Sequence, residues 1–416
     1  MVKIPKADLL AKISFLLLIF FTFFPTGIPF QEKMQERGVD EISSSNIINQ
    51  ILYLTIFVLA FLSAIPIRNK IFSVIIKEKW LSIFLLWAGM TIFWSSFPDV
   101  SFKRYFQVLT FYLTIISFLI YFPSITSLIK LIKPIIYSYI LLTILVVISI
   151  PDAKDPAFGT WRGLTSHKNS LGQIGVILTI FNLIFFTSEE NLNKKVISFI
   201  FFLFSIIITV GAVSSTSITS LFILLTISSI FYVKKKIFEP IGLSYFLSFF
   251  LIITGLISIV LLFTFIPNLT DYIEGIFGKD DAFYDRGKLW KFMLWEISGH
   301  PLWGCGFQGF WVIESPKIQM LYRTFIWLPI QAHNGYLDII NEIGIIGLLL
   351  FLVVIINYLV ISYKKGRIEL WVWFLINPLI ISLTESTLFR PGHKSTVFLI
   401  LSYLLLHLGK NKEEII

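Results

Sequence analysis

The sequence has little charge and almost no cysteine. Asp, Glu, Lys and Arg together make up only 14% of the 416 residues, whereas hydrophobic residues make up 56%. A water-soluble domain needs more polar residues to cover its surface, so the composition excludes an ordinary soluble protein and indicates a membrane protein. The single cysteine, Cys305, excludes an intrachain disulfide framework and argues against redox chemistry.

Patterns for metal and nucleic-acid binding are also lacking. His300 and His393 have no zinc-ligand spacing with any cysteine or histidine. Asp280, Asp281 and Asp285 could hold a divalent cation, but a polar loop with acidic residues is commoner. The net charge of +9 comes from short Lys and Arg clusters between apolar runs, not from one basic face. We therefore expect no metal, no cofactor and no nucleic-acid partner.

Long apolar runs recur along nearly the whole chain. A helix rises about 1.5 Å per residue, so roughly 20 apolar residues cross a bilayer. We predict an all-α polytopic membrane protein with about twelve transmembrane helices in contact with membrane lipids. The predicted spans are 13–30, 47–65, 80–97, 105–122, 134–150, 170–187, 196–213, 217–233, 241–266, 335–361, 370–385 and 396–408. No internal repeat or linker divides the chain, so residues 1–416 are predicted to form a single membrane domain.

The Lys and Arg clusters predict the orientation of the chain. They fall in alternate loops between the predicted spans, and the positive-inside rule assigns such loops to the cytoplasm. Both termini are then cytoplasmic, and the first apolar run is interpreted as a retained helix rather than a cleaved signal. The remaining loops, including the long one between the ninth and tenth spans, lie on the opposite side.

This long extracytoplasmic loop is predicted to cover residues 267–334. Its charges nearly balance and it is rich in aromatic residues, unlike a disordered linker. We expect it to fold onto the membrane surface as a cap over the helix bundle. Within it, residues 285–298 interleave basic and apolar side chains in the manner of an interfacial helix.

The sharpest local pattern begins at His333, in AHNGYLDIINEIGIIG, where the long loop returns to the membrane. At about 100° per residue, Gly344 comes back to nearly the same helix face as His333. Because glycine lets a neighbouring helix approach closely, His333 is predicted to face into the bundle at its water-facing rim, where a histidine can act as a general base. A surface histidine that caps a helix is the plainer alternative. Asn334 is a possible substrate contact.

A second cluster, GTWRGLTSHKNSLGQIG, brings Arg162, His167 and Lys168 to the start of the sixth predicted helix. Ser166 or Asn169 can cap this helix, whose free N–H groups and positive dipole end favour an anion. An arginine can add a bidentate phosphate contact. Ordinary contact with lipid headgroups is the alternative.

A third candidate is Arg286, which is followed by the glycine-rich stretch PLWGCGFQGF. Such glycines can bring backbone close to a ligand, although turns are their commoner use. Arg323 and Arg390 also lie on the predicted outer side. Both are possible substrate contacts, as is Asn169.

These segments together resemble the O-antigen ligase and O-antigen polymerase superfamily, which includes enzymes that finish lipopolysaccharide and enzymes that polymerise exopolysaccharides. The resemblance rests on the HKN segment that opens a helix, on DRGKLWKFMLWEISGHPLWGCGFQGF, and on His333 with ten residues between it and Gly344. It covers residues 159–347, while the other helices match in pattern only.

The resemblance implies a GT-C-like, inverting and metal-independent glycosyltransferase of the bacterial inner membrane, with its active site on the periplasmic side. The donor would be a glycan on undecaprenyl diphosphate, and the acceptor a lipid or glycan, which for a ligase is the lipid A core. His333 would match the essential loop histidine. Arg162 and Arg286 would match the arginines that engage the diphosphate, with His167 and Lys168 beside them.

Two alternative functions remain open. Ligases of this superfamily often have glycine four positions after the basic residue of the loop, whereas Ser166 follows Arg162 here, and the HKN segment also resembles exopolysaccharide polymerases. A repeat-unit polymerase of O-antigen or exopolysaccharide is therefore the first alternative. A polysaccharide transporter or flippase is the second, although the repeat symmetry and midplane charges of transporters are lacking in the sequence.

Overall fold

The computed structural model describes residues 6–24, 47–155, 159–237, 280–325, 329–364, 370–390 and 393–409. These residues are predominantly helical, with one isolated β-bridge between Lys154 and Trp161. The α-helices, numbered along the chain, are α1 (Ala7–Phe23), α2 (Ile47–Ala64), α3 (Arg68–Lys77), α4 (Lys79–Met90), α5 (Pro98–Tyr121), α6 (Ile125–Ser149), α7 (Lys168–Ser188), α8 (Leu192–Gly211), α9 (Ser215–Ile237), α10 (Asp280–Ser298), α11 (Pro316–Thr324), α12 (Gly335–Lys364), α13 (Trp373–Ile381) and α14 (Lys394–Leu408). The predicted all-α class is confirmed for the described part of the chain.

Six helical stretches among the described residues are long and apolar enough to cross a membrane. They are Ile47–Lys77, Pro98–Tyr121, Ile125–Ser149, Lys168–Ser188, Leu192–Gly211 and Gly335–Lys364. Shorter apolar helices accompany them at Lys79–Trp94, Ser215–Ser229, Leu370–Ile381 and Lys394–Leu408. The chain is thus a multi-pass membrane protein. A total of about twelve spans stays a prediction, and the predicted ninth span, 241–266, lies outside the described residues.

The core of the bundle consists largely of aromatic and branched aliphatic side chains. Phe15 on α1 stacks on Phe118 of α5 with ring centroids 3.9 Å apart. Phe181 on α7 lies edge-on to Phe398 of α14 at 4.9 Å, and all four rings are buried. Since lipid tails are as apolar as these side chains, close packing is what holds such helices together.

The segment between α9 and α12 has a small core of its own. Leu289 and Met293 of α10 and Leu321 of α11 pack with Trp311 and are almost completely buried. The indole N–H of Trp311 donates to Asp338 in α12 at 2.8 Å, which ties this core to the bundle. The described part of the predicted long loop is therefore folded and sits against the start of α12.

The helix α12 is interrupted at Gly344. The backbone there has φ 72° and ψ 179°, a combination that residues with a side chain rarely adopt. A Cβ at this position would overlap the carbonyl oxygen of Leu302, and a Cβ at Gly304 would overlap the backbone of Glu342. The two glycines therefore allow the loop after α10 to pass directly against the broken helix.

The loop after α10, together with Trp87 of α4, satisfies the hydrogen-bonding groups that the break releases. The pairs, with the donor first, are Cys305 N to Asn341 O at 2.8 Å, Gly306 N to Glu342 O at 2.9 Å, Trp87 Nε1 to Ile343 O at 2.9 Å and Ile345 N to Pro301 O at 2.8 Å. Irregular backbone at membrane depth is tolerated only where protein or a water-filled cavity covers it, because a backbone group without a partner in lipid is costly. Here the covering is supplied by the loop and by Trp87 of α4.

The prediction that His333 and Gly344 lie on the same helix face is wrong. His333 precedes α12 and has a left-handed φ of 49°, and Gly344 is itself non-helical. A constant rotation of about 100° per residue therefore cannot relate the two positions. The glycine accommodates a loop rather than a neighbouring helix.

Candidate active site

Four segments of the chain meet at the carboxylate of Glu385. This residue lies in the turn between α13 and α14, and only 4% of its surface is exposed. Its N–H donates to the carbonyl of Ile381 at 2.9 Å, so the turn continues directly from α13. The side chains that reach the carboxylate are Asn169, Arg286, Gln331 and His333.

His333 lies closest to Glu385 on the side of the long loop. Its Nδ1 is 3.0 Å from Oε2 of Glu385, and the side chain of Gln331 donates to the same oxygen at 3.1 Å. With Glu385 ionised, Nδ1 carries the proton and donates it, which leaves the lone pair on Nε2. This tautomer is the one in which Nε2 can accept a proton from a substrate.

Arg286 approaches Glu385 from α10. Its Nη2 is 3.3 Å from Oε1 of Glu385, and its Nη1 donates to the carbonyl oxygen of Thr384 at 3.1 Å. These contacts use two of the five N–H donors of a guanidinium. The arginine compensates the buried carboxylate and brings a permanent positive charge beside His333.

The start of α7 completes the cluster. The side-chain amide of Asn169 donates to Oε1 of Glu385 at 3.0 Å. The helix cap is His167, whose Nδ1 accepts the N–H of Asn169 at 3.1 Å, so the predicted caps, Ser166 or Asn169, are wrong. Because the imidazole caps the helix, the amide of Asn169 is available to Glu385. Lys168 is the first residue of α7 and is half-buried.

The charges in the cluster depend on one another. Burial alone would raise the pKa of Glu385, but the hydrogen bond and charge of His333, and then the charge of Arg286, hold that pKa below its ordinary value. The pKa of His167 is lowered, mainly by burial and against the opposing effect of Glu385. At neutral pH, Glu385 is therefore ionised and His167 is neutral, as its capping bond to Asn169 requires.

Arg162 lies in the loop before α7, and its guanidinium forms hydrogen bonds to backbone carbonyls of the same loop. Its Nη2 donates to the carbonyl oxygens of Asp152 at 2.9 Å and Lys154 at 3.2 Å. Its backbone N–H donates to Ala153 at 2.8 Å. These contacts stabilise the connection between α6 and α7 and do not join Arg162 to Glu385. Diphosphate binding by Arg162 stays a prediction.

The other predicted substrate contacts lie in different surroundings. Arg390 forms an ion pair with Asp338, with Nη2 2.8 Å from Oδ2. Asn334 caps α12, where its Oδ1 accepts the N–H of Tyr336 at 3.1 Å. Arg323 is exposed in the last turn of α11. None of these observations tests contact with a substrate.

Within the described ranges, no group of three or more His, Cys, Asp or Glu side chains is arranged to hold a metal ion. The side chains of Asp280, Asp281 and Asp285 lie outside what is described. The alternative of a cation at those aspartates is therefore untested.

Glu385 and Gln331 are the residues that sequence reasoning missed. Between Leu370 and Phe389, Glu385 is the sole charged residue. An ionisable side chain in an otherwise apolar run is costly to bury and marks a candidate functional site, so this signal could have identified Glu385. Gln331 has no comparable signal.

Comparison with known proteins adds an independent observation. The family model described as O-antigen ligase matches residues 200–352. That stretch contains Arg286 and His333 but ends before Glu385.

Three relatives are similar to parts of the chain. The exopolysaccharide production protein ExoQ of Rhizobium meliloti is 32% identical over 91 residues, which is 21% of this chain and 21% of the relative. Proteins named as polysaccharide ligases from Rickettsia felis and Rickettsia typhi are 31% identical over 140 residues (32% of this chain, 33% of the relative) and 27% identical over 209 residues (49% and 48%). The chain thus spans between about a fifth and a half of the length of these relatives.

Proposed function

We propose that this chain, which belongs to an O-antigen ligase-like family, is a membrane glycosyltransferase that moves a glycan from undecaprenyl diphosphate to an acceptor hydroxyl. The family match and the relatives support an enzyme of polysaccharide ligase or polymerase type. The observation that carries the finer proposal is the meeting of His333, Arg286 and the start of α7 at Glu385. A candidate base, a guanidinium and a helix N-terminus are thereby brought together.

In the proposed reaction, His333 is the general base. The acceptor hydroxyl gives its proton to Nε2 while its oxygen attacks the anomeric carbon of the donor sugar. The bond from that carbon to the diphosphate oxygen breaks, and the electron pair leaves with the diphosphate. A single displacement of this kind inverts the anomeric configuration. Glu385 stabilises the imidazolium that forms and acts as a positioning residue for His333.

The leaving diphosphate requires positive charge. Arg286 can supply guanidinium N–H groups, and α7 supplies Lys168, backbone N–H groups and the positive end of its dipole. The charges near the start of α7 include Arg286 and Lys168 on the positive side and Glu385 and Asp155 on the negative side. The dipole and the N–H groups of α7 therefore have to supply part of the attraction for an anion. Arg162 would join it by turning its guanidinium away from the carbonyls of its own loop.

The proposed acceptor is a lipid A core, which makes the enzyme an O-antigen ligase. A repeat-unit polymerase is the second candidate, and the similarity to an exopolysaccharide production protein favours it. Deletion of the protein followed by a glycan gel separates the two. Full-length chains left on the lipid carrier indicate a ligase, and single repeats indicate a polymerase.

The proposed site lies on the periplasmic side of the inner membrane, with both termini in the cytoplasm. Glu314, which is exposed just before α11, is suited to a topology test. A cysteine introduced at this position, in a background that lacks Cys305, should react with thiol reagents that do not cross the membrane. Reaction only with permeant reagents would overturn the orientation and the mechanism together.

The central test is transfer in vitro by purified protein. His333→Ala should insert normally but transfer glycan about 10² to 10⁴ times more slowly, because a positioned base contributes that much to rate. His300→Ala is the matched control, since His300 pairs with Glu296 at 3.4 Å, outside the Glu385 cluster. Equal rates in wild type and His333→Ala would remove His333 as the base.

A further inference from the structure

Asp338, in the first turn of α12, is a buried carboxylate with partners from three other segments. Its Oδ2 lies 3.3 Å from the N–H of Ala332 and 2.8 Å from Nη2 of Arg390. Its Oδ1 accepts the indole N–H of Trp311 at 2.8 Å. Only 3% of the residue is exposed. The reaction proposed above makes no direct use of this network.

The bond to Ala332 fixes the backbone next to His333. The left-handed φ of 49° at His333 is unfavourable for a residue with a side chain and persists only where its surroundings hold it. On the other side of His333, Asn334 caps α12 through the N–H of Tyr336 at 3.1 Å. His333 is thus held between the contact with Asp338 and the cap of the helix.

Arg390 extends the same network to the other half of the site. It lies in the turn between α13 and α14, five residues after Glu385. Its ion pair with Asp338 therefore connects the turn that carries Glu385 to the helix that holds His333. A second carboxylate, Glu342, has its Oε1 3.8 Å from Nη2 of Arg390. Both ends of the hydrogen bond from His333 to Glu385 are consequently connected through one ion pair, between a buried carboxylate and a half-buried arginine.

We propose that Asp338 and Arg390 are positioning residues, whose ion pair keeps the imidazole of His333 at hydrogen-bond distance from Glu385. This inference rests on the proposed function, because it assigns the pair to the alignment of the base. Neither residue touches the reacting atoms. In this role Arg390 acts through the geometry of the site, and its contact with a substrate stays a prediction.

The first test is Asp338→Asn in the full-length protein. An amide offers one acceptor oxygen instead of two, so it cannot serve Ala332, Arg390 and Trp311 together. We expect kcat to fall about 10-fold to 100-fold, since a displacement of about 1 Å can cost about 10²-fold in rate. The KM for the lipid diphosphate donor should stay within about twofold of wild type, because the proposed donor contacts are unchanged. Asp338→Glu, which keeps both oxygens, should recover part of kcat.

The second test measures the position of His333 without any catalytic assay. Diethyl pyrocarbonate modifies histidines, and mass spectrometry gives the rate at His333 relative to His300. Asp338→Asn should raise the rate at His333 several-fold. Glu342→Gln is the matched control, because Glu342 pairs with the same Arg390 but does not contact Ala332. In this variant the modification rate at His333 should equal that of wild type.

The outcomes separate this inference from the proposed function. Unchanged kcat and unchanged modification in Asp338→Asn would overturn the positioning role, while a slow His333→Ala would still support the base. Normal transfer by His333→Ala would refute the base, yet faster modification in Asp338→Asn would still support the positioning of the imidazole. If Asp338→Asn does not fold, Arg390→Lys provides both measurements, because it shortens the reach of the same ion pair.

Discussion

The mechanism is tested most directly by Glu385→Gln, an isosteric change that removes one charge. In wild type, all four neighbouring side chains can donate to the carboxylate: Asn169 and Arg286 to Oε1, and Gln331 and His333 to Oε2. An amide has one acceptor and one donor end, so either orientation sets an N–H group against donors. If the amide N–H₂ faces His333, it donates to Nδ1 and moves the imidazole proton to Nε2. A histidine in that tautomer cannot accept the proton of the acceptor hydroxyl.

The size of the effect follows from the distance between the charges. At 3.0 Å from Nδ1 of His333, a unit negative charge stabilises a positive imidazolium by about 5 kcal/mol at an effective dielectric constant of about 20. Such a loss corresponds to roughly 10³ to 10⁴ in rate. We therefore expect kcat to fall by about 10³, near the middle of the range for a lost general base.

The assay is transfer by purified protein from a labelled lipid diphosphate donor, with kcat and KM measured separately. Glu189→Gln is a suitable control, because it also removes the charge of a glutamate, here half-buried, 2.6 Å from Lys133 and in a different part of the fold. Its kcat should stay within about twofold of wild type, as for most changes away from a site. A kcat for Glu385→Gln within threefold of wild type would refute the assignment of Glu385 to the base. So would an increase in donor KM with unchanged kcat.

Three further predictions address the site and its support. Gly344→Ala should destabilise the protein by about 2 to 6 kcal/mol, because the positive φ with extended ψ at this position is essentially restricted to glycine and costs other residues about 1–3 kcal/mol, and overpacking adds about 1–3 kcal/mol. A thermal melt in detergent matching wild type would contradict the helix break. The lowered pKa of His167 means that the unfolded chain binds more protons than the folded one, so the stability of the fold should decrease as the pH drops below about 6.5. In His167→Asn, which caps the helix without titrating, the melting temperature should decrease less over that pH range. An identical pH dependence in the variant would exclude His167 as the source of the effect. Arg286→Lys should lose most transfer activity, because an ammonium group cannot replace the two-pronged contact of a guanidinium. Arg162→Lys tests the same contribution from Arg162. Full activity in either variant would show that the arginine concerned does not bind the diphosphate.

Some properties of this protein are local, and the sequence alone determined them. The apolar runs specify helices, because each helix satisfies its own backbone hydrogen bonds and only its length and composition must suit the membrane. The predicted span 335–361 accordingly corresponds to α12, Gly335–Lys364. The placement of His333 just before a helix, and of the HKN segment at the start of another, has the same local origin.

The centre of the site, in contrast, was decided by tertiary structure. Asn169 and Glu385 are separated by 216 positions in sequence, and no local pattern reports that their side chains meet. The same limit explains the error at Gly344, since a helical pattern continues through a residue that is broken only because a distant loop packs against it. Burial of an apolar face depends on local composition, whereas a buried carboxylate is stable only when distant partners arrive to satisfy it. The identity of those partners at Glu385 became visible only in the folded arrangement.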